Sequence, residues 1–121
     1  MTPLAPDLSA FMQTHLPGEC GASRHTIAAY AHAFTLLLRF AAGRLKRPPS
    51  ELAIEDLDVQ MIRAFLEHIE VGRANSVRSR NARLAAIKSF FRFVEHRHPA
   101  CLEQALMIRA LPVKRTDTRL I

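Results

Sequence analysis

The sequence predicts an all-α fold, a compact bundle of four to five helices. Apolar residues recur every three or four positions along most of the chain, and no run alternates with period two. Short polar or proline- and glycine-containing connectors separate these segments, as expected where helices pack as antiparallel neighbours. A chain of 121 residues fits one domain and can bury a real core.

The first two helices are predicted from their caps and their apolar stripes. Asp7 can cap a helix that runs to about Leu16 and ends at Pro17-Gly18. Ser23 can cap a longer second helix that has Gly43 near its end and cannot pass Pro48-Pro49. The predicted stripes are Leu8, Phe11 and Met12 in the first helix, and Ile27, Tyr30, Ala31, Phe34, Leu37, Leu38 and Ala41 in the second.

The third and fifth helices follow from the same signals. The third is predicted to begin at Asp56 or Asp58 and to end at Gly72. Pro99 is predicted to open a short fifth helix that ends before Pro112. The predicted stripes are Ile62, Phe65, Leu66 and Ile69 in the third helix, and Leu102, Leu106 and Met107 in the fifth.

The fourth predicted helix has two different faces. Its buried face comprises Val77, Leu84, Ile87, Phe91 and Val94, and its polar face comprises Arg78, Asn81, Lys88 and Arg92. Because Phe90 and Phe93 lie off the main stripe, the helix is expected to bury two flanks and to sit centrally. Arg80 projects onto the apolar stripe, where it is expected to snorkel or to pair with Glu67 or Glu70.

Charge is unevenly distributed along the chain. The net charge is +6 and the isoelectric point is near 10.4, which favours an anionic partner. Acidic residues dominate 51–70 and basic residues dominate 73–97. A folded domain built from these segments should have one strongly positive side, which is an indication of nucleic-acid binding.

The sequence offers little for catalysis, and we predict no catalytic residue, metal site or cofactor. The six histidines form no HExxH motif, and there is no CxxC, P-loop, dinucleotide-binding turn or nucleophile elbow. With no secretion signal at the start, Cys20 and Cys101 are expected to be reduced. No apolar run is long enough to cross a bilayer, so the protein is predicted to be cytoplasmic, with no membrane partner.

Two motifs resemble the core-binding domain of the tyrosine recombinases, the phage-integrase family. The first is Ser23-x-x-Thr26-Ile27-x-x-Tyr30, and the second is Ser76-x-x-Ser79-x-x-x-Arg83-Leu84-Ala85-Ala86-Ile87-Lys88-Ser89-Phe90-Phe91-Arg92-Phe93. The resemblance runs from about Ser9 to the end of the chain. It implies a small helical bundle resembling a SAM domain, which packs across one face of a recombination site in double-stranded DNA.

The resemblance also implies that DNA binding and catalysis are carried by different domains. In this family a separate C-terminal domain carries the catalytic residues, and the chain stops where that domain should begin. We therefore expect residues 1–111 to form the DNA-binding domain and the basic segment 112–121 to be a linker toward a catalytic domain. The fragment is expected to be a monomer, and a full-length parent is expected to form a tetramer on paired DNA sites. Tyr30, the single tyrosine, is expected to be a core residue.

The family's DNA contacts come mainly from the two helices that carry these motifs. Serine and threonine at helix starts can donate to phosphates beside unpaired backbone N–H groups, and arginine, lysine and asparagine can reach phosphates or base edges. The Asn81 amide could pair bidentately with adenine. The resemblance implies as DNA-binding residues Ser23, Arg24, His25, Thr26, Asn75, Ser76, Arg78, Ser79, Asn81, Arg83, Lys88 and Arg92.

Other functions remain as alternatives. A stand-alone helical DNA-binding regulator of the helix-turn-helix type would need two shorter helices and a tight turn, whereas the basic helix here is long. A protein-interaction bundle would need an exposed apolar patch, and most apolar residues fit inward stripes. A small enzyme is disfavoured by the lack of catalytic groups.

Overall fold

Five α-helices make up most of the described chain in the computed structural model, which confirms the all-α prediction. The structure describes residues 1–72 and 76–115. Within these residues the only extended pairing is a single antiparallel bridge between Pro3 and Ala53. The helices are α1 (Leu4–Ala10), which continues as a π-helix (Phe11–Glu19), α2 (Arg24–Leu45), α3 (Val59–Gly72), α4 (Val77–Arg97) and α5 (Leu102–Arg109), with short 3₁₀ turns at Pro49–Glu51, Ile54–Asp56 and Pro99–Cys101.

The first helix differs from the prediction at both ends. It begins at Leu4, so Asp7 lies in its first turn and is not the cap. The Asp7 side chain is buried, and it accepts hydrogen bonds of 2.8 Å from Arg97 Nε and 2.8 Å from His98 Nε2. It therefore ties α1 to the end of α4. The helix also passes Pro17-Gly18 and ends at Glu19, because its last part is wound as a π-helix.

Three later helices begin at capping side chains: Ser23, which was predicted as a cap, Asp58, one of the two predicted start positions of the third helix, and Ser76. Ser23, Asp58 and Ser76 each accept a hydrogen bond from the backbone N–H three residues further on, at 3.2, 2.8 and 3.1 Å respectively. α2 passes Gly43 and ends at Leu45, where Lys46 adopts the left-handed conformation at φ 55°. The caps thus set where these helices begin, whereas Gly43 does not set where α2 ends.

The core is centred on α4, as predicted. This helix packs against α2, α3 and α5, and Phe90 and Phe91 are both fully buried. The predicted stripe of α3 is buried throughout, and that of α4 is buried except for the half-buried Val77. In α2 the buried face is rotated slightly, so that Ala31 is exposed and Ala33 is buried. Tyr30 is half-buried and packs against this core.

The predicted stripe of α5 is wrong. Leu102, Leu106 and Met107 are 44%, 50% and 49% exposed, and the buried residues are Cys101, Ala105, Ile108 and Leu111. The reason is tertiary. Gln104 donates hydrogen bonds to the carbonyl oxygens of Ile54 and Leu57, at 2.8 and 2.9 Å, which fixes the rotation of the helix. The small Ala105 side chain then lies inward, and the larger side chains face outward.

A pH-dependent contact anchors the start of the chain. The backbone N–H and the hydroxyl of Thr2 donate to the Glu55 carboxylate at 2.9 and 2.8 Å. Burial alone would raise the pKa of Glu55, but these hydrogen bonds and the backbone N–H of Glu55 itself outweigh it and leave the pKa lowered. A lowered pKa stabilises the fold above the unfolded pKa, and this contribution is lost as pH falls through the folded pKa.

Glu55→Gln is therefore expected to lower the free energy of unfolding at pH 7 by about 1.5–3 kcal/mol, the usual value of a hydrogen bond to a charged group. The difference from wild type should shrink as the pH falls below the range in which Glu55 is ionised. Urea unfolding at pH 7 and pH 3 measures it. A difference of equal size at both pH values would show that the charge of Glu55 is not responsible.

Candidate nucleic-acid interface

The two helix starts that carry the sequence motifs share one local geometry. Ser23 and Ser76 both have φ −71° and ψ 164°, and each serine Oγ caps its helix. Each hydroxyl also lies within hydrogen-bond distance of the hydroxyl three residues on, Thr26 at 3.1 Å and Ser79 at 3.3 Å. Each serine thus satisfies one backbone N–H of its first turn. The other N–H groups of these long helices remain available to an anion.

Exposed polar side chains, three of them arginines, stand beside both helix starts. Arg24 and His25 are exposed in the first turn of α2, and Arg78 is exposed in the first turn of α4. Arg92 is exposed five residues before Arg97, the last residue of α4. Within the part of the chain that the structure describes, none of these four side chains forms an ion pair with an acid. They are therefore available to an external polyanion.

The packing of α2 against α4 separates the predicted DNA contacts at the helix starts, together with Arg92, into two sets. Phe34 and Phe90 are in contact, with ring centroids 5.6 Å apart, and Phe11 bridges Tyr30 and Phe93 at 6.3 and 5.5 Å. The start of α2 therefore lies near the end of α4, and the start of α4 lies at the opposite end of the bundle. One set is Ser23, Arg24, His25, Thr26 and Arg92, and the other is Ser76, Arg78, Ser79 and Arg83.

The spacing along α4 suits an extended ligand. Arg78 and Arg92 are separated by a helical rise of roughly 21 Å, at 1.5 Å per residue. This length corresponds to about six phosphates along one DNA strand. Two positive sets at this separation can contact distant phosphates of the same duplex at once.

Two predicted contacts, Asn81 and Lys88, are already bonded within the chain. Asn81 Nδ2 donates to the Lys114 carbonyl at 2.7 Å, and the Lys114 backbone N–H donates back to Asn81 Oδ1 at 3.0 Å. Lys88 Nζ donates to the Leu111 carbonyl at 2.5 Å. We call these bonds, with the one from Arg80 Nη1 to the Pro112 carbonyl at 3.2 Å, the exit clamp. The clamp holds residues 111–114 against α4.

The surroundings of the exit clamp disfavour positive charge. Burial and, after it, the nearby Arg80 guanidinium lower the pKa of Lys88. The predicted pairing of Arg80 with Glu67 or Glu70 is wrong, because Arg80 bonds instead to Asn81 Oδ1 and the Pro112 carbonyl. Glu70 pairs with Lys114 Nζ at 2.8 Å. Contacts with residues 111–114, which we call the exit segment, therefore determine the hydrogen-bond partners of four side chains: Glu70, Arg80, Asn81 and Lys88.

Arg83 is partly withdrawn from solvent. It is half-buried, its Nη1 donates to the Ser79 carbonyl at 3.2 Å, and its Nε is buried with no hydrogen-bond partner among the described residues. Asn75, the remaining predicted contact, lies outside the described residues. As DNA contacts, all of these residues stay predictions.

Sequence reasoning missed the exit clamp. Its bonds join residues 23 to 33 positions apart, and no periodic pattern reports such contacts. The one available signal was the polar Asn81 and Lys88 on a face that otherwise carries arginines. No helix in the described residues is long and apolar enough to span a membrane. Across residues 1–72 and 76–115, no cluster of three or more potential metal ligands occurs.

Comparisons with known proteins identify similar sequences. The family model that describes the N-terminal SAM-like domain of phage integrases matches residues 10–98 of the sequence. Two proteins of Sinorhizobium fredii (strain NBRC 101917 / NGR234), both provisionally designated integrase/recombinase, are also similar. The chain is 43% identical to y4rC over 118 residues, which is 98% of this chain and 36% of y4rC. It is 41% identical to y4rD over 112 residues, which is 93% of this chain and 40% of y4rD.

The chain thus spans about two-fifths or less of the length of these relatives. No solved structure matches it significantly.

Proposed function

The chain belongs to the family of N-terminal SAM-like domains of phage integrases, and from this premise we propose that it binds double-stranded DNA. Its role is to position a site-specific tyrosine recombinase on its recombination site. The observation that carries the proposal is the exposure of Arg24, Arg78 and Arg92 on two antiparallel helices, two of them beside a helix start. Arginine and helix N-termini are both common phosphate contacts.

The proposal assigns different parts to the predicted contacts. Exposed arginines neutralise phosphates at both ends of the surface, and the capping serines fix the helix starts beside them. Lys88 and Asn81 act mainly through the exit clamp, which sets the direction in which the chain leaves the bundle. This direction matters because a domain on the far face of the DNA has to be reached by residues 112–121.

We also propose the division into a DNA-binding domain at 1–111 and a linker at 112–121. The lengths of the two relatives support it, since most of each lies outside the region matched by this chain. In this proposal a further domain supplies catalysis and no residue here is catalytic. The domain alone is a monomer, and the full-length protein forms a tetramer on paired sites.

A second candidate function gains support from α5. Leu102, Leu106 and Met107 are exposed on this helix, although the sequence predicted that most apolar residues fit inward stripes. An exposed apolar surface of this kind suits contact with another protein. It is compatible with DNA binding and becomes the leading candidate if the following experiment fails.

Binding to duplex DNA should be strongly dependent on salt. If about four to six phosphates are neutralised, the logarithm of the association constant should fall with log[salt] at a slope of about −4 to −5. Affinity should therefore fall about 10²–10³-fold between 50 and 200 mM salt. Fluorescence anisotropy with a labelled duplex measures this. No binding at 50 mM salt, or binding independent of salt, would overturn the proposal.

A cleavage assay accompanies the titration. Supercoiled DNA incubated with the chain should remain supercoiled, with no covalent protein–DNA adduct. An adduct would place catalysis in this domain and contradict the proposed division.

A further inference from the structure

A hydrogen-bonded chain of three side chains lies at the end of the π-helix. His15 Nδ1 is 2.5 Å from Glu19 Oε1, and His15 Nε2 is 3.3 Å from Cys20 Sγ. The π-helical winding creates this arrangement, because the Cys20 backbone N–H bonds to the His15 carbonyl five residues back, at 2.9 Å. Such winding brings residues four and five positions on to the same side as His15. Single π-helical turns are often found at functional sites.

The imidazole between the other two groups is held in place. His15 lies against Phe11 and Phe93, with ring centroids 5.7 and 4.8 Å apart, and its side chain is 26% exposed. Cys20 is exposed to solvent. An external reagent can therefore reach the sulfur while the rings keep the imidazole aimed at it.

The three side chains open onto a surface cleft of about 550 Å³. Two arginines of α4 stand across it. Arg92 is exposed, and Arg97 is about half exposed although its Nε bonds to Asp7. The cleft thus favours an anionic reagent.

The geometry places a potential base beside the thiol. A neutral imidazole that donates its Nδ1 proton to Glu19 leaves the Nε2 lone pair toward Cys20 Sγ. This nitrogen can accept the thiol proton, and the Glu19 carboxylate stabilises the imidazolium that forms. Cys101 provides the contrast. It is buried, and burial together with the nearby Glu55 carboxylate raises the pKa of its thiol.

We propose that Cys20 is a reactive thiol that forms mixed disulfides with small anionic disulfides, with His15 as the base. The Cys20 thiol loses its proton to His15 Nε2, and the sulfur attacks one sulfur of the incoming disulfide. A new S–S bond forms as the old one breaks, and the released thiolate takes the proton from the imidazolium. Cys20 is oxidised and the departing half of the reagent is reduced, so no other oxidant is needed.

The modification also affects the DNA surface, an inference that rests on the proposed function. Cys20 lies three residues before Ser23 and shares the cleft with Arg92. A bound anionic group would compete with a phosphate for Arg92. Loss of one phosphate contact corresponds to about tenfold weaker binding at 0.1 M salt.

The rate of reaction with oxidised glutathione tests the site without DNA. Mass spectrometry of the folded chain at pH 7 should find the adduct on Cys20 and not on Cys101, and Cys20→Ser should remove it. An ordinary thiol is only about 3% ionised at pH 7, so full ionisation could raise the rate about 30-fold. The weaker nucleophilicity of a stabilised thiolate reduces this gain to about five- to tenfold.

His15→Gln is therefore expected to slow the reaction of Cys20 about five- to tenfold at pH 7. The difference should disappear near pH 10, where the thiol is ionised in both proteins. Glu19→Gln, at a mostly exposed position, should slow it less and serves as a second variant if His15→Gln does not fold. Each rate is divided by the rate at which an unstructured peptide thiol reacts with the same reagent. On this scale cystamine, a cationic disulfide, should react with Cys20 more slowly than oxidised glutathione does.

Equal rates at pH 7 for wild type and both variants would overturn the reactive-thiol site. A preference for cystamine would overturn the assignment to anionic reagents. Anisotropy titrations of the reduced and the glutathione-modified chain with duplex DNA then test whether modification of Cys20 weakens DNA binding. Equal affinities would refute that effect. If the reduced chain does not bind DNA, the proposed function fails while the rate measurements still decide the thiol site.

Discussion

A chain in which Arg24, Arg78 and Arg92 are all changed to alanine is expected to bind duplex DNA about 500-fold more weakly than wild type at 0.1 M salt. Each lost phosphate contact removes about 0.9 log unit of affinity under these conditions. The salt slope should fall by about three units together with the affinity. Because all three side chains are exposed and unpaired with acids in the described chain, the melting temperature should change little.

A matched triple variant controls for net charge. Arg39, Arg44 and Arg63 are also exposed, and the first two line a cleft with Phe65 and His68 on the α3 side of the bundle. Changing these three arginines to alanine removes the same charge but should reduce affinity only a few-fold. Equal losses in the two triple variants would mean that binding depends on total charge and that no particular surface is used.

Lys88 provides a test of the exit clamp within the same helix. Its ammonium bonds to the Leu111 carbonyl, so Lys88→Ala should leave DNA affinity within about threefold of wild type. It should instead lower the free energy of unfolding by about 1.5–3 kcal/mol through the lost hydrogen bond of a charged group. A salt slope that falls by a full unit in Lys88→Ala would show that Lys88 contacts a phosphate and that the clamp opens on DNA.

Phe90→Ala is expected to lower the free energy of unfolding by about 3–5 kcal/mol. The ring is fully buried and lies 5.4 Å from Phe11, 5.6 Å from Phe34 and 5.4 Å from Phe91, measured between centroids. Its removal therefore leaves a cavity where α4 meets α2 and the π-helix. A single domain is usually stable by only 5–15 kcal/mol, so this is a large fraction of the total.

Two leucines make a matched control for this core prediction. Leu84 is fully buried in α4, whereas Leu106 is 50% exposed on α5. Leu84→Ala should cost about 2–5 kcal/mol and Leu106→Ala less than about 1 kcal/mol. Urea unfolding of the three variants at constant m-value measures all of these costs. A large loss for Leu106→Ala would mean that the outward face of α5 is buried in solution.

The sequence alone determined the features that depend on neighbouring residues. Ser23, Asp58 and Ser76 cap their helices because a side-chain oxygen reaches a backbone N–H three residues away. The buried stripes of α3 and α4 were predictable because helical periodicity places their apolar residues on one face. The two motifs that resemble the integrase family lie on these same local features.

Tertiary structure decided what depends on residues far apart in the chain. Asp7 is not a cap, because Arg97 and His98, ninety and ninety-one positions away, hold its carboxylate in the interior. The rotation of α5 is fixed by Gln104 bonding to carbonyls about fifty residues earlier. Asn81 and Lys88 look like free polar groups on a helical wheel, yet the exit segment occupies both.

The Cys20–His15 contact is neither predictable from neighbouring residues nor formed by residues far apart in the chain. Its residues are five positions apart, but an ordinary α-helical turn would not bring them together, and the sequence gives no sign of the π-helical winding that does. Local sequence therefore determined the helices, their starts and most of their buried faces, since these follow from hydrogen bonds and periodicity within a few residues. Packing decided which polar side chains remain available to a partner, because that depends on what the rest of the chain places beside them.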